Sequence, residues 1–189
     1  MVFEPDDRDL AVLLFAWQSR FVTTKQLQRA FWPGALCPRA APRLRVLRQE
    51  GLLGFRHFPW LSERLLYFPA RAGNRALAAC GLLTVRQVPD CPRAPEALSP
   101  ALRHDLGVVD IRLGLEESGA DGRTWVSDHE LRQRARTLDR QERVPDGVFD
   151  FTLDGTMRGM GKGVLEYERI PYHRSKIPAL LARLRDRYE

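Results

Sequence analysis

Two stretches decide how the second half of this chain folds: Val144-Pro145-Asp146-Gly147-Val148-Phe149 and Val164-Leu165-Glu166-Tyr167-Glu168-Arg169. Both predict β-strands, and the second is richer in β-branched and aromatic residues at its core. Side chains alternate across a strand, so Glu166 and Glu168 share one face, and Asp146 lies beside it if the strands pair. Three carboxylates on one patch repel each other unless protons or a cation intervene. Such oxygen ligands suit Mg²⁺, so Asp146 and Glu166 are the candidate metal ligands.

This pattern resembles that of the PD-(D/E)xK nuclease superfamily, in which a Pro-Asp and an acidic-x-Lys on adjacent strands hold Mg²⁺ for DNA cleavage. Pro145-Asp146 fits the first element and Glu166 fits the second acid. Glu168 occupies the position of the lysine and cannot supply its positive charge. Lys162 is a convenient substitute on the same face as Glu166 if the strand is regular, although glycines flank it. The resemblance implies four catalytic candidates if the site is active: Asp146, Glu166, Glu168 and Lys162.

The composition is that of a folded, basic protein. The chain has 189 residues, enough for one large domain or two small ones, and 44% of them are hydrophobic. Its net charge of +6 and its pI of about 9.7 favour a polyanionic partner, with nucleic acid first. Of the 30 basic residues only three are lysines, namely Lys25, Lys162 and Lys176. This excess of arginine suits contacts with DNA phosphates and guanines. A GC-rich genome also produces it and is the larger cause. A basic surface without a specific partner is the alternative.

Three observations predict a cytoplasmic protein without a membrane partner. The cysteines Cys37, Cys80 and Cys91 have neither the spacing of a disulfide framework nor that of a zinc site. Residues 1–7 are acidic and lack the basic and apolar regions of a signal peptide. No run of sequence approaches the roughly 20 apolar residues that cross a membrane.

The first half predicts three helices, a two-stranded hairpin and a fourth helix. Asp7 or Asp9 caps the first helix, which has an apolar stripe of Leu10, Leu13, Leu14 and Trp17. Thr23 and Gln26 form the capping box of the second helix. The third lies between about Pro38 and Glu50, and Pro42 confines its regular part to residues from about 41 onward. The hairpin strands and the fourth helix follow at about 52–58, 64–68 and 70–80.

This order resembles the winged helix-turn-helix family of DNA readers, in which the third helix enters the major groove. The candidate DNA-binding residues are Arg39, Arg43, Arg45 and Arg48 on the helix and Arg56, His57 and Arg64 on the hairpin. Arginine side chains suit phosphate and guanine contacts. Two alternatives stay open: a winged helix used for protein contacts, and mere packing or exposure for His57 and Trp60.

The proline-rich residues 85–98 predict a stiff linker. We therefore expect a winged-helix domain over residues 1–84 and a second domain over residues 99–189. In the second domain the sequence predicts a helix from Ser99, then a strand over about 124–131 and a basic loop or short irregular helix over 132–143. The two motif strands follow, joined by a turn at Asp154-Gly155, and a last helix begins at Ser175. The expected fold class is α+β or α/β, with the second domain a small, truncated or degenerate PD-(D/E)xK nuclease-like αβββα domain.

Nearly the whole chain resembles the replication-relaxation family of plasmids and integrative elements. The resemblance rests on the winged helix, His104-Asp105-Leu106, Trp125 to Arg132, Pro145-Asp146-Gly147 and Leu165 to Arg169, in that order. It implies DNA partners more firmly than catalysis. His104 and Asp105 add a ligand or proton carrier to the acidic face, or Asp105 only pairs with an arginine. Glu130 joins that face or is a surface glutamate beside Arg132.

We therefore expect a DNA-binding protein of a mobile genetic element that controls transcription, replication or mobilisation. Its expected partner is double-stranded DNA. A homodimer, in which a second copy of the chain is also a partner, is one of the oligomeric states we consider. DNA binding requires no cofactor, and the nuclease-like domain is expected to be inactive. The alternative is a Mg²⁺-dependent DNA endonuclease or nickase that uses Asp146 and Glu166.

Overall fold

The computed structural model describes residues 3–34, 40–58, 65–97, 99–137, 144–152 and 160–167. Its helices are α1 Asp7–Ser19, α2 Thr24–Phe31, α3 Ala40–Gln49, α4 Arg71–Ala79, α5 Pro100–Glu117 and α6 Asp128–Thr137. Its strands are β1 Val22–Thr23, β2 Leu53–His57, β3 Leu65–Pro69, β4 Val126–Ser127, β5 Gly147–Thr152 and β6 Met160–Leu165. The fold is mixed α+β with two small antiparallel sheets. Its contacts divide it into a first unit of residues 1–117 and a second unit of residues 118–189.

The first two helices begin at reciprocal side-chain caps. At α1 the Asp6 carboxylate accepts the Asp9 N–H at 2.8 Å, and the Asp9 carboxylate accepts the Asp6 N–H at 3.0 Å. The cap is therefore Asp6, just before the predicted Asp7 or Asp9. At α2 the predicted capping box of Thr23 and Gln26 is confirmed. The Thr23 N–H donates to the Gln26 side-chain oxygen at 3.0 Å, and the Gln26 N–H donates to the Thr23 hydroxyl oxygen at 3.2 Å. These caps satisfy N–H groups that have no partner inside the helix.

Helix α3 begins at Ala40, close to the predicted start of regular structure. Pro42 lies in its first turn, where a backbone N–H would have no helical acceptor. Leu44 and Leu47 are fully buried and anchor the helix in the core. The chain turns at Gly51, whose φ of 67° is in the left-handed region that glycine adopts without steric cost.

The first sheet has the strand order β1-β3-β2, with both pairs antiparallel. The predicted hairpin is confirmed as β2 and β3, and its tip at residues 59–64 lies outside the described residues. Gly54 lies opposite Phe68, and a Cβ at Gly54 would meet the Phe68 ring at 2.2 Å. The core of this unit includes Val12, Trp17, Val22, Leu27, Leu44, Leu47, Tyr67 and Leu77. Helices and sheet therefore both contribute to this core, and a second, smaller cluster contains Phe58, Leu66 and Leu102.

Helix α5 packs within the first unit, so the contact boundary follows Glu117 and differs from the predicted linker at 85–98. The Gln26 side chain on α2 donates to the Leu106 carbonyl and to the Asp110 carboxylate, both at 2.9 Å. A buried glutamine is satisfied by these bonds, which tie α5 to the first helices.

Buried Arg112 forms a second link between α5 and the first helices. Its guanidinium lies 4.3 Å from the ring centroid of Phe15 and donates to Gln18 at 3.0 Å. The proline-rich segment is itself held, because the Asn74 side chain on α4 donates to the Val88 carbonyl at 3.2 Å. The predicted boundary differs because a proline-rich composition indicates a linker but does not show whether the helix after it packs against the domain before it.

The second sheet has the order β4-β5-β6, and its first strand is much shorter than predicted. The prediction of strand over 124–131 is wrong beyond Ser127, because α6 begins at Asp128. The Ser127 N–H and hydroxyl both lie 2.9 Å from the Glu130 carboxylate, as in a Ser-x-x-Glu helix cap. Helix α6 continues to Thr137, through residues predicted as a loop or a short irregular helix.

Strand β6 ends earlier than its sequence pattern predicts. It runs Met160–Leu165, so the strand predicted over 164–169 overlaps it by two residues, and Glu166 and Tyr167 follow without regular structure. Its predicted pairing with the Asp146 strand is confirmed as the antiparallel pair of β5 and β6. Other predictions lie outside the described residues: Glu168, Arg169, the turn at Asp154-Gly155 and the helix from Ser175.

Two aromatic rings in the second unit lie against glycines of β5 and β6. Trp125 and Phe149 stack with their ring centroids 6.0 Å apart. A Cβ at Gly147 would meet the Trp125 ring at 2.3 Å, and one at Gly163 would meet the Phe149 ring at 2.4 Å. Gly163, one of the glycines beside Lys162, is thus compatible with a strand because it makes room for an aromatic ring.

Candidate functional site

The predicted arginines of the third helix have different surroundings. The Nε atom of Arg43 is 2.7 Å from Asp9 Oδ1, and a terminal nitrogen contacts Asp9 Oδ2 and, at 3.1 Å, Asp6 Oδ2. The hydrogen bond with Asp9 raises the pKa of the Arg43 guanidinium, which remains a cation. Arg43 therefore joins α3 to the start of α1. Its contact with DNA stays a prediction.

Arg45 and Arg48 lie further along α3. Arg45 is exposed, and the guanidinium carbon of Arg48 lies 4.0 Å from the ring centroid of Phe55 on β2. Phe55 is 47% exposed, although it is a large apolar side chain. A guanidinium at this distance is attracted by the negative face of the ring. This contact joins α3 to β2, while Arg39 and Arg64 lie outside the described residues.

Strand β2 carries two further residues that were predicted to bind DNA. Arg56 and His57 are exposed, and alternation places His57 on the same face as Phe55 and Arg56 on the other. Phe55 lies opposite Tyr67 of β3, whose phenol has a raised pKa because it is buried. A hydrogen bond with Thr24 and the positive charge of Arg48 both lower the pKa of Tyr67 and so oppose that shift.

The candidate metal ligands Asp146 and Glu166 lie at one end of the pair formed by β5 and β6. Gly147 lies opposite Leu165, and each acid is the next residue outward. The Asp146 N–H donates to the Leu165 carbonyl at 3.0 Å, which extends the pairing past the start of β5. The register therefore brings the two predicted acids to neighbouring positions.

The Asp146 carboxylate already has a backbone partner. Its Oδ2 accepts the Tyr167 N–H at 2.7 Å. This bond satisfies a donor that lies just beyond the end of β6, where ladder hydrogen bonding has stopped. Asp146 thus stabilises the chain after β6, a function that needs no metal.

The other members of the predicted catalytic set do not complete the site within the described residues. Lys162 is exposed on β6 and lies opposite Asp150. Its predicted place on one face with Glu166 required a regular strand through Glu166, but β6 ends at Leu165. The described residues, which exclude Glu168, contain no group of three or more His, Cys, Asp or Glu side chains suited to a metal.

The remaining candidates lie on α5 and α6. On α5, His104 Nδ1 is 3.7 Å from Asp105 Oδ1. On α6, Glu130 accepts the hydrogen bonds that cap the helix. Arg132 contacts Asp128 at 3.2 Å, one helical turn away. Glu130 thus has a structural role that the sequence interpretation did not assign, although the Ser-x-x-Glu spacing was a visible signal.

Phe55 was also missed by sequence reasoning. It lies seven residues after Arg48 and directly before Arg56 and His57, so an aromatic residue among cations was visible. An aromatic residue in a strand is usually part of the core, however, because it buries a large apolar area. Its exposure depends on where the core ends, which only the packing of α3 against β2 shows.

Comparison with known proteins assigns no relative. No family model, curated protein or solved structure matches the chain. None of the helices in the described part of the chain is both long and apolar enough to cross a membrane. The function must therefore be inferred from the residues of this chain and their surroundings.

Proposed function

We propose that this chain binds duplex DNA through α3 and the β2–β3 hairpin. The cationic surface that these two elements share carries the proposal. Arg45 is exposed on α3, and Arg48 reaches from α3 to Phe55 on β2, whereas the exposed Arg56 lies on the other face of that strand. Cations on such a surface neutralise phosphates and release the counterions condensed on DNA. The net charge of +6 favours the same partner at longer range.

The order of the elements supports a winged-helix interpretation of the first unit. The chain runs α1, β1, α2, α3, β2, β3, and the sheet has the order β1-β3-β2. In helix-turn-helix proteins the recognition helix lies in the major groove. Helix α3 has 10 residues. An α-helix with its side chains is about 10–12 Å across, which matches the roughly 12 Å width of the groove.

We further propose that the DNA belongs to a mobile genetic element and that binding controls its transcription, replication or mobilisation. The resemblance to the replication-relaxation family supports this step. In this proposal the second unit is a nuclease-like domain without efficient turnover. The hydrogen bond from Tyr167 to Asp146 supports that view, since it gives the acid a structural task.

The test measures binding of labelled duplex DNA by fluorescence anisotropy as the salt concentration is raised. We expect the affinity to fall steeply with salt because each neutralised phosphate releases counterions. Arg45→Ala should weaken binding, by about 1–3 kcal/mol if the side chain contacts a base. If it contacts a phosphate, the salt slope should fall by about one unit.

Arg75→Ala is the matched control. Arg75 is also an exposed helical arginine, but it lies on α4, away from the proposed helix and hairpin in the sequence. Its replacement removes the same charge and should leave both affinity and salt slope almost unchanged. Equal effects of the two variants would mean that only net charge matters, and unchanged binding by folded Arg45→Ala would refute the role of α3.

Cleavage of DNA is the second candidate function, and the adjacency of Asp146 and Glu166 favours it. Two carboxylates at one end of a sheet are a ligand pair that Mg²⁺ accepts, together with phosphate and water. A nicking assay on supercoiled DNA with Mg²⁺ or Mn²⁺ tests this function. Metal-dependent nicking that is lost in both Asp146→Asn and Glu166→Gln would establish it.

A further inference from the structure

One exposed aromatic side chain in the first unit has a cation lying on it. The guanidinium carbon of Arg48 is 4.0 Å from the centroid of the Phe55 ring, and the ring is 47% exposed. The two residues belong to different elements, α3 and β2. The ring therefore supports the arginine from outside the helix that carries it.

An unsupported surface arginine samples many rotamers, and ordering it on a partner has an entropic cost. Contact with an aromatic face reduces that cost because the guanidinium is already restricted before the partner arrives. The planar group keeps its N–H donors at its edge while its face lies on the ring. The stacked arginine can therefore still donate to a phosphate or a base.

We propose that Phe55 is a positioning residue, whose ring holds the Arg48 guanidinium toward DNA at the junction of α3 and β2. The inference rests on the proposed DNA-binding function and extends it to one pair of residues. Phe55 acts through Arg48 and does not itself read the DNA. Because the two side chains act together, their contributions to binding are coupled.

A double-mutant cycle tests this coupling. Duplex DNA binding is measured for the wild type, Phe55→Leu, Arg48→Ala and the combined variant, each across a salt series. Phe55→Leu keeps an apolar side chain but removes the ring, and it should weaken binding by about three- to tenfold. Its salt slope should shift toward that of Arg48→Ala, because the guanidinium is no longer held near a phosphate. In the Arg48→Ala background, Phe55→Leu should have almost no further effect.

Phe55→Tyr is the conservative control, since it keeps the aromatic face and should bind DNA like the wild type. A full effect of Phe55→Leu in the Arg48→Ala background would overturn the inference, because Phe55 would then contact DNA directly. Binding of Phe55→Leu equal to that of the wild type would also overturn it. In that case Arg45→Ala would still weaken binding, so the proposed function would stand. If the wild type binds no duplex DNA, the proposed function and this inference fail together.

A measurement on the free protein guards against a variant that is merely misfolded. The side-chain δ protons of Arg48 should show an upfield ring-current shift in the NMR spectrum, and Phe55→Tyr should preserve it. Phe55→Leu should lose the shift while its melting temperature stays close to that of the wild type, because the ring is half exposed. Arg48 protons without a ring-current shift in the wild type would refute the stacking.

Discussion

The Arg43 guanidinium on α3 pairs with the Asp9 carboxylate on α1, with Arg43 Nε 2.7 Å from Asp9 Oδ1. The Asp9 side chain is only 1% exposed. It also accepts the Asp6 N–H, so one carboxylate both caps α1 and holds α3. The orientation of the proposed DNA-reading helix therefore depends on a charge pair with the first helix.

The first prediction is that Asp9→Asn destabilises the protein. The substitution keeps the shape of the side chain but removes the charge that Arg43 binds. Hydrogen bonds to charged groups contribute about 1.5–3 kcal/mol, and we expect a loss in this range. Urea unfolding, with the midpoint and slope both fitted, measures it.

Asp7→Asn is the matched control because Asp7 also lies in the first turn of α1 but is exposed. It should change the free energy of unfolding by less than about 0.5 kcal/mol, as is usual for surface substitutions. If both variants lose the same stability, the effect would arise from the helix dipole and not from the Arg43 pair.

The same pair shows how far the sequence could predict the candidate surface. The arginine-rich third helix was predicted from its apolar spacing and its flanking residues, and the helix is present as α3. Which arginines face outward was not predictable from that spacing. Arg43 and Arg45 are two residues apart, yet one is bound to α1 and the other is exposed. That difference depends on where Asp9 lies in space.

The second prediction concerns two helical glycines that should respond to alanine with opposite signs. A Cβ at Gly73 on α4 would meet the Leu52 carbonyl oxygen at 2.2 Å, a backbone atom that cannot easily move. At Gly114 on α5 the nearest atom is a side-chain nitrogen of Arg29 at 3.9 Å, an ordinary contact. Alanine is favoured over glycine in a helix interior by about 1 kcal/mol.

Gly73→Ala should therefore destabilise the protein despite its better helix propensity, because overpacking costs about 1–3 kcal/mol. Gly114→Ala should stabilise it by up to about 1 kcal/mol. Thermal melts of both variants and of the wild type measure whether each substitution lowers or raises the melting temperature. A stabilising Gly73→Ala would mean that α4 does not lie this close to the chain before β2.

The third prediction is that α5 is part of the first folding unit. Gln26 bonds to Leu106 and Asp110, and Arg112 covers Phe15, so removing α5 leaves buried groups on α1 and α2 without their partners. A fragment of residues 1–117 should melt cooperatively and at a higher temperature than one of residues 1–98. Equal melting temperatures would instead support a boundary within the predicted linker.

The fourth prediction concerns the cap of α6. Ser127→Ala removes the hydroxyl that bonds to Glu130 and His129, and loss of such a side-chain hydrogen bond costs about 1 kcal/mol. Ser127→Thr keeps the hydroxyl and should be close to neutral. Glu130→Gln should be milder than Glu130→Ala, because glutamine also serves in a capping box. Hydrogen exchange of the α6 backbone amides measures the loss of helix stability. Equal protection of these amides in all four variants would contradict the cap.

The cap also explains why the second unit was harder to predict than the first. Trp125 and Val126 predict a strand, and the prediction extended that strand to Leu131. The structure ends that strand at Ser127, because the cap formed with Glu130 favours a helix. Pairing of the two motif strands was predictable from the apolar pattern. The end of β6 was not, because it coincides with a side-chain contact from Asp146 to Tyr167.

The last prediction decides what Asp146 does. If its main task is to accept the Tyr167 N–H, Asp146→Ala should destabilise the protein by about 1–3 kcal/mol without any metal, because it orphans that donor. Asp146→Asn keeps an acceptor oxygen at the same place and should be milder. The melting temperature of the wild type should not rise when Mg²⁺ is added.

A metal site would reverse this pattern, because a ligand that binds only the native state stabilises it. Mg²⁺ or Mn²⁺ would then raise the melting temperature of the wild type. Asp146→Asn and Glu166→Gln would each remove the rise, since each takes away one of the neighbouring carboxylates. Lys162→Ala is the control, because it changes a charge on β6 without removing an oxygen ligand. A metal-dependent rise that survives in Lys162→Ala but not in the two acid variants would assign Asp146 to metal binding and make the nicking assay the decisive experiment.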